Sequence, residues 1–257
     1  MLSNLQSTTE ISHGIRRKEF GVQVKGQNVP CVLWLPPEIP KALIALGHGG
    51  SSHKKSELLS KRAIHFARTF AWASLAVDAP HHGERISREE ALKERAKTEA
   101  RIRGEPTAPA LSVEEKIRFL DSLAAQAVPE WQAALDAVFD ANLVPKAIPL
   151  AYWGLSQGSS IGVPLLAVDR RFSCAVLGLI HLHPEHKELK KVAQHLTLPL
   201  RFVFQWDDPI RTREYGLALF DAFGSSDKSM HIYPGGHLDT PLSEVASWDG
   251  FFKRYLS

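Results

Sequence analysis

The chain has few of the features that mark secreted or membrane-spanning proteins. Its 257 residues include two cysteines, Cys31 and Cys174, each inside an apolar stretch, so a disulfide framework is not expected. No run approaches the roughly 18 consecutive apolar residues that a membrane span needs. Residues 1–20 lack the apolar segment of a signal peptide. These absences predict a cytoplasmic protein that has reduced thiols and is not inserted in a membrane.

Charge and composition limit the classes of partner. The formal net charge is +3, and no dense lysine or arginine run is present, so nucleic acid is not expected to bind. The chain is 44% hydrophobic, which is enough for one sizeable core, and residues 1–257 are interpreted as a single domain. The sequence makes no prediction of the oligomeric state.

Short apolar runs alternate with amphipathic segments. Eight runs predict β-strands, at 17–24, 28–36, 42–48, 72–79, 147–154, 174–181, 198–205 and 229–235. Helical patterns occur at 56–70, 129–141, 158–168, 187–196, 211–223 and 241–255, and Pro129 is suited to the first turn of its helix. Several strands are apolar throughout, as in sheets that are covered on both faces. The alternation predicts an α/β fold with a mostly parallel sheet of eight strands and helices on both faces.

One connection is too long for a simple crossover. Between Asp78 and Ala147 the numbering advances by 69, and the excess lies at about 84–128. Capping-box patterns that begin at Ser87 and Ser112 predict two helices there, with Pro106 and Pro109 between them. This helical insertion follows the fourth predicted strand and so leaves the sheet at a strand's carboxyl end. The apolar face of its second helix, which includes Phe119, is therefore expected to form a lid over a site.

A serine lies between two glycines after the predicted strand 147–154. The pattern Gly154-x-Ser156-x-Gly158 is followed by a helical segment, which is the setting of a nucleophile elbow. Such a turn exposes the serine hydroxyl above the sheet and directs the N–H groups of the following helix toward a developing oxyanion. By itself the pattern is also found in ordinary glycine- and serine-rich turns.

A serine needs a base and an orienting acid, and the later strands end in both. Asp207 and Asp208 follow the strand 198–205, and His237 follows the strand 229–235. The order serine, acid, histidine is the one expected after an elbow of this type. Either aspartate also suits a turn or a helix cap, because Asp-Pro favours turns. We predict Ser156 as nucleophile and His237 as base, with one of the two aspartates as the acid.

Glycines after the third predicted strand suggest an oxyanion hole. The loop Gly47-His48-Gly49-Gly50-Ser51, called here the oxyanion loop (residues 47–51), allows close approach to a substrate oxygen. The N–H of Gly50 is the preferred donor, with Gly49 and Ser51 as alternatives. The second donor is the backbone N–H of Gln157, next to Ser156.

Taken together, the motifs HGG, DAPHHGER, GLSQG, WDDP and GGH resemble those of the α/β-hydrolase superfamily. They occur in the order that the family has, and the resemblance extends over nearly the whole chain. DAPHHGER, WDDP and PGGH are most similar to the branch of dienelactone hydrolases and prolyl-oligopeptidase-like enzymes. Dienelactone hydrolases proper have cysteine at the elbow, and this chain has Ser156, which implies a serine esterase. The usual place of the acid in the family, directly before a proline or hydrophobic residue, implies Asp208 rather than Asp207.

Other side chains at the strand ends are expected to surround the substrate. We predict that His48, Trp206, His181 and Phe119 contact it, although His48 also suits a structural hydrogen bond beneath the oxyanion loop. Asp78 and Arg85 suit an ion pair that braces a loop. His181, His183 and His186 have ligand-like spacing but no matched carboxylate or cysteine set, so neither a metal nor another cofactor is predicted.

The sequence therefore predicts a serine hydrolase that cleaves a small carboxylic ester through an acyl-enzyme intermediate. Two alternatives remain open. The same triad can cleave a carbon–carbon bond or a small peptide, since the fold alone does not select the reaction. The fold can also serve as a non-catalytic receptor, although receptors often lose triad residues and here every one has a candidate.

Overall fold

The core of the molecule is one β-sheet. The computed structural model describes residues 2–12, 14–105 and 111–256, and within these ranges nine strands form the sheet. The strands are β1 (Leu2–Ser12), β2 (Ile15–Val24), β3 (Gln27–Leu35), β4 (Ala42–Gly47), β5 (Trp72–Val77), β6 (Leu150–Gly154), β7 (Phe172–Gly178), β8 (Leu200–Gln205) and β9 (Lys228–Tyr233).

The strand order is β1-β2-β3-β5-β4-β6-β7-β8-β9, and the pairs from β5 to β9 are all parallel. The pairs β1–β2, β2–β3 and β3–β5 are antiparallel. Strands β2–β9 are the eight that the sequence predicts, so the predicted fold class is confirmed. β1 is an additional edge strand, and its mostly polar sequence gave no periodic signal because an edge strand can be held by backbone pairing alone.

Seven α-helices lie in the described parts of the chain. They are α1 (Glu57–Phe70), α2 (Arg88–Ile102), α3 (Val113–Asp140), α4 (Gln157–Val168), α5 (Lys187–Gln194), α6 (Arg213–Ala222) and α7 (Leu242–Leu256). A short 3₁₀ turn at Gly83–Arg85 precedes α2. None of these helices combines the length and the apolar character needed to span a membrane.

The helices cover both faces of the sheet. Side chains of α3, α4, α5 and α6 pack on one face, in a core that includes Trp131, Ile161 and Leu219. Helices α1 and α7 pack on the other face, where Phe66, Trp153 and Trp248 are buried. Because both faces are covered, strands β4, β5 and β6 are buried along their whole length. The strand ends and their loops remain as the place where a site can form.

Helix α3 is longer than the sequence predicts. The helix that was predicted to begin at Pro129 begins earlier, because one helix continues from the capping box at Ser112 to Asp140 with the proline in its interior. A proline there removes one backbone hydrogen bond and costs about 3 kcal/mol. The buried stripe that contains Leu123, Trp131 and Leu135 offsets this cost by packing on the sheet.

The insertion at 84–128 contains α2 and the first half of α3. Both predicted capping boxes are formed, at Ser87 and at Ser112. α2 buries none of its side chains, and on the first half of α3 the aromatic ring of Phe119 is 50% exposed. Pro106 and Pro109, which were expected to separate the two helices, lie outside the described residues.

The predicted ion pair between Asp78 and Arg85 is wrong. Arg85 instead makes a bidentate pair with Glu130 of α3, at 2.7 and 2.9 Å, and its hydrogen bond to Asp78 is to the backbone oxygen, not to the carboxylate. The Asp78 carboxylate is paired with Lys54 at 2.7 Å, and both side chains are buried. Glu130 lies 45 residues beyond Arg85, and the interval includes α2, so no local sequence pattern indicates this pairing.

Replacing Glu130 by Gln should destabilise the protein by about 3 kcal/mol, because the nearly buried guanidinium of Arg85 would lose its counter-charge. Urea unfolding of the wild type and the variant measures this difference. The matched control is Glu99→Gln, whose partner Arg95 is exposed, and it should change stability by less than about 1 kcal/mol. Equal effects of the two substitutions would contradict the structural importance of the Arg85–Glu130 pair.

Candidate active site

Ser156 lies on a sharp turn between β6 and α4. Its backbone has φ 55° and ψ −118°, a left-handed conformation that residues with a side chain rarely adopt. The turn brings backbone atoms very close together, since a Cβ added at Gly154 would lie 2.9 Å from the carbonyl carbon of Gly158. A Cβ added at Gly158 would lie 2.5 Å from the backbone oxygen of Gly47. Both flanking positions therefore require glycine, and the serine side chain is left at the carboxyl edge of the sheet.

A buried hydroxyl fastens this turn to the neighbouring strand. The backbone N–H of Ser156 donates to the oxygen of Gly178, at 2.9 Å. The Ser159 hydroxyl lies 2.6 Å from the oxygen of Gly154 and 2.8 Å from that of Gly178, and it also accepts the N–H of Gly178. Ser159 is a structural residue that the sequence reasoning missed, although it ends the conspicuous stretch GLSQGS. A small hydroxyl residue one turn into a helix gives no pattern by which its contacts can be predicted.

The loops after β6, β8 and β9 bring together a serine, an aspartate and a histidine. Nε2 of His237 lies 3.0 Å from Oγ of Ser156, and Nδ1 of His237 lies 2.6 Å from Oδ2 of Asp208. The other carboxylate oxygen of Asp208 accepts the N–H of Ile210, at 2.9 Å. The side chains of Asp208 and His237 are almost completely buried. Such a chain of hydrogen bonds can take a proton from the serine and orient the imidazole that receives it.

Asp207 turns away from this chain. One of its carboxylate oxygens pairs with Arg213 at 2.7 Å, and the other accepts the N–H of Gly235 at 3.2 Å. The side chain is 56% exposed. The two adjacent aspartates thus have different partners, and only Asp208 contacts His237.

The oxyanion loop lies against the start of α4. A Cβ added at Gly50 would lie 3.4 Å from Oε1 of Gln157, so Gly50 and Gln157 are neighbours in space. The N–H of Gln157 belongs to the first turn of α4, where no intrahelical acceptor is available. Ser51 has φ 58°, a second strained residue beside the first. The oxyanion loop therefore lies near the start of α4, and the assignment of its N–H donors stays a prediction.

His48 has a structural place in this loop. The N–H of Ala79 donates to Nε2 of His48 at 3.0 Å, so the imidazole proton is on Nδ1, which donates to the oxygen of Gly49 at 2.8 Å. Burial lowers the pKa of His48 to about 4, which keeps the ring neutral. With both nitrogens occupied and the side chain buried, His48 joins two loops rather than contacting substrate as predicted.

The other three residues that were predicted to contact substrate lie at different places around the carboxyl edge of the sheet. Nδ1 of His181 accepts the N–H of Thr212, and burial lowers the pKa of His181 to about 4. Trp206 is 39% exposed beneath the guanidinium of Arg213, and Phe119 projects from α3. Among the described residues, no hydrogen bond or ring contact joins these three to the serine, histidine or aspartate described above. Their role in substrate binding stays a prediction.

Arg211 is a further residue of this edge that sequence reasoning missed. Its Nε donates to the oxygen of Leu179 at 2.7 Å, which links the loop after β8 to the loop after β7. Burial lowers the pKa of Arg211 to about 10, while the nearby charge of Asp208 acts in the opposite direction. An arginine just before a helix reads as a surface residue, so its sequence context gave no signal.

The histidines that follow β7 do not converge. His183 accepts the N–H of Glu185 at 3.3 Å, whereas Nε2 of His186 lies 2.8 Å from the Asp121 carboxylate on α3. Within residues 2–12, 14–105 and 111–256 no group of three or more histidine, cysteine, aspartate or glutamate side chains is arranged to hold a metal ion. The contact between His186 and Asp121 instead connects the insertion to the loop after β7.

Comparisons with known proteins agree with this architecture. No protein-family model matches the sequence, and no curated protein matches it. A solved structure of a novel cold-adapted esterase from an Arctic intertidal metagenomic library, in complex with PEG, is similar with a TM-score of 0.80 and 28% identity, covering 99% of this chain and 100% of that one.

Two further solved structures share the fold at lower identity. An acetyl xylan esterase from Paenibacillus sp. R4 has a TM-score of 0.69 at 18% identity, with 99% of this chain and 90% of that one covered. Dienelactone hydrolase from Anabaena variabilis has a TM-score of 0.64 at 17% identity, with 95% of this chain and 100% of that one covered. The sheet topology, the helices and these similarities show that the chain has the α/β-hydrolase fold.

Proposed function

We propose that this protein is a serine hydrolase that cleaves a carboxylic ester of a small molecule through an acyl-enzyme intermediate. The observation that carries the proposal is the continuous chain of hydrogen bonds from Asp208 through His237 to Ser156 at one edge of the sheet. The similar solved structures that are described as esterases support the choice of ester over peptide or carbon–carbon bond. Because the hydrogen bonds from Asp208 through His237 to Ser156 are all present, a non-catalytic receptor is disfavoured.

In the proposed mechanism, each of these groups has a defined role. His237 takes the proton of the Ser156 hydroxyl through Nε2 while the oxygen attacks the ester carbonyl carbon. The backbone N–H groups of Gln157 and Gly50 stabilise the oxyanion of the tetrahedral intermediate. His237 then protonates the departing alcohol, which leaves an acyl group on Ser156. Water, deprotonated by His237, attacks this acyl group; the carboxylic acid is released, and the Ser156 oxygen takes the proton back from His237.

Asp208 is a positioning residue in this scheme. Its carboxylate accepts the Nδ1 proton of His237, which leaves Nε2 free as the base and stabilises the imidazolium that forms. The N–H of Ile210 holds the second carboxylate oxygen, so the acid cannot rotate away.

The chemistry requires no metal or cofactor besides these groups. We propose that the protein acts in the cytoplasm, a setting with which the two buried, unpaired cysteines are compatible.

Ser156→Ala should leave the fold intact and reduce turnover of p-nitrophenyl esters by about a million-fold, because the members of a triad act as a unit. Ser160→Ala, one helical turn further along α4, is the matched control and should retain near wild-type turnover. Steady-state kinetics on p-nitrophenyl acetate and butyrate, with circular dichroism of each variant, measure both effects. Hydrolysis by Ser156→Ala at the wild-type rate would exclude the mechanism.

The two adjacent aspartates should differ sharply. Asp208→Asn presents the wrong hydrogen-bonding partner to His237 and should lower turnover by about ten-thousand-fold. Asp207→Asn removes only an exposed pair with Arg213 and should cost less than about 1 kcal/mol of stability. Turnover and melting temperature are measured side by side. An inactive Asp207→Asn with an active Asp208→Asn would reverse the assignment.

We further propose that the insertion at 84–128 covers the site and selects substrates by size. Phe119→Ala should change the ratio of turnover on long-chain to short-chain esters by several-fold without loss of stability, because the exposed ring has little packing to lose. The ratio is measured on p-nitrophenyl esters from acetate to decanoate. Arg118→Ala, the adjacent exposed residue, is the control. An unchanged ratio in Phe119→Ala would show that α3 lies outside the path of the acyl chain.

A further inference from the structure

Helix α2 has an unusual relation to the rest of the protein. It extends over fifteen residues and buries none of them. Its charged side chains largely pair with one another, as Glu89 does with Lys93 and Arg95 with Glu99. A cavity of about 280 Å³ lies between α2 and the loops 51–55 and 78–86, lined on the α2 side by Ala91 and Glu94. Apolar packing therefore contributes little to holding α2 in place.

One residue of the oxyanion loop makes the connection. The Ser51 hydroxyl donates to the backbone oxygen of Glu94 at 3.0 Å and lies 2.5 Å from the Thr98 hydroxyl. Because Ser51 has a single proton and uses it on the carbonyl, Thr98 is the donor in the second bond. Among the described residues, these are the hydrogen bonds that join α2 to a part of the chain outside its own turns and caps. Glu94 and Thr98 are one helical turn apart, so both face Ser51.

The backbone of Ser51, which makes this connection, is strained. Its φ of 58° costs about 1 kcal/mol or more for a residue with a side chain, and such a conformation persists only where its surroundings impose it. Ser51 directly follows Gly50, the preferred oxyanion donor. A change at Ser51 therefore moves the peptide group that is expected to stabilise the transition state.

We propose that Ser51 and Thr98 form a latch through which α2 holds the oxyanion loop in its active position. The proposal rests on the hydrolase function proposed above and adds to it a positioning residue, Thr98, on a helix that is outside the catalytic machinery. With the latch closed, the N–H of Gly50 is held near Gln157, where both donors meet one oxygen. When these hydrogen bonds are broken, the strained loop relaxes, and α2 moves away from the loop on the other side of the cavity.

Thr98→Val tests the latch, since it removes the hydroxyl and keeps the shape of the side chain. Loss of a complete oxyanion donor costs about 100- to 1000-fold in turnover, so a loosened donor should cost about 10-fold in kcat on p-nitrophenyl acetate, with KM nearly unchanged. Inhibition by butylboronic acid, which forms a tetrahedral adduct with a nucleophilic serine, should weaken by the same factor. Ser51→Ala should behave alike, because it loses the hydroxyl while its Cβ keeps the backbone strained at this φ.

Two matched variants isolate the effect. Thr98→Ser restores a hydroxyl and should recover wild-type kcat, whereas Thr69→Val makes the same change at an exposed position of helix α1 and should have no effect. A rise in KM with unchanged kcat in Thr98→Val would overturn the proposal, because α2 would then contact substrate without positioning the oxyanion loop.

Amide hydrogen exchange provides a readout that does not depend on activity. Thr98→Val should exchange faster than wild type both in α2 and in residues 48–52. Faster exchange in α2 alone would overturn the latch, since the loop would then be held by other contacts. If the wild-type protein hydrolyses no ester, the proposed function fails, while the exchange data still decide whether α2 holds the loop.

Discussion

The strained turn at Ser156 is the constraint on which the rest of the proposed active site depends. Its left-handed backbone costs about 1–3 kcal/mol and is retained because the surroundings impose it. The oxygen of Gly178 accepts the Ser156 N–H, the Ser159 hydroxyl fastens the same region, and Tyr152 donates from the core to the oxygen of Gly158. These bonds place the serine side chain above the sheet and point the first turn of α4 at the same spot.

The parallel sheet then brings the remaining groups to this point. The loops after β4, β8 and β9 end at one edge of the sheet, and they carry Gly50, Asp208 and His237, respectively. Buried polar contacts hold these loops in place, since His48 joins the oxyanion loop to the loop after β5 and Arg211 joins the loops after β7 and β8. The insertion contacts the same edge through Ser51 and through His186. The proposed active site is thus assembled from loops whose positions depend on one another.

The sequence predicts the parts of this arrangement that have a local signature. Apolar runs locate the strands β2–β9, and glycines on both sides of Ser156 mark the turn because no other residue fits there. The long-range contacts have no such signature. Lys54 with Asp78, and Arg85 with Glu130, pair residues that are distant in the chain, and the interior Pro129 is tolerated because of packing that local propensity does not include. His48 shows the same limit, since only the structure reveals that its Nε2 accepts the backbone N–H of Ala79.

The central claim is that Ser156 is a nucleophile activated by His237. The most direct measurement is labelling of the wild-type protein with a fluorophosphonate, followed by mass spectrometry of the intact chain and of its peptides. One adduct per chain is expected, on the peptide that contains Ser156, and it should be lost when His237 is replaced by Ala. Absence of labelling, or labelling of Ser156 that persists at the same rate without His237, would contradict it.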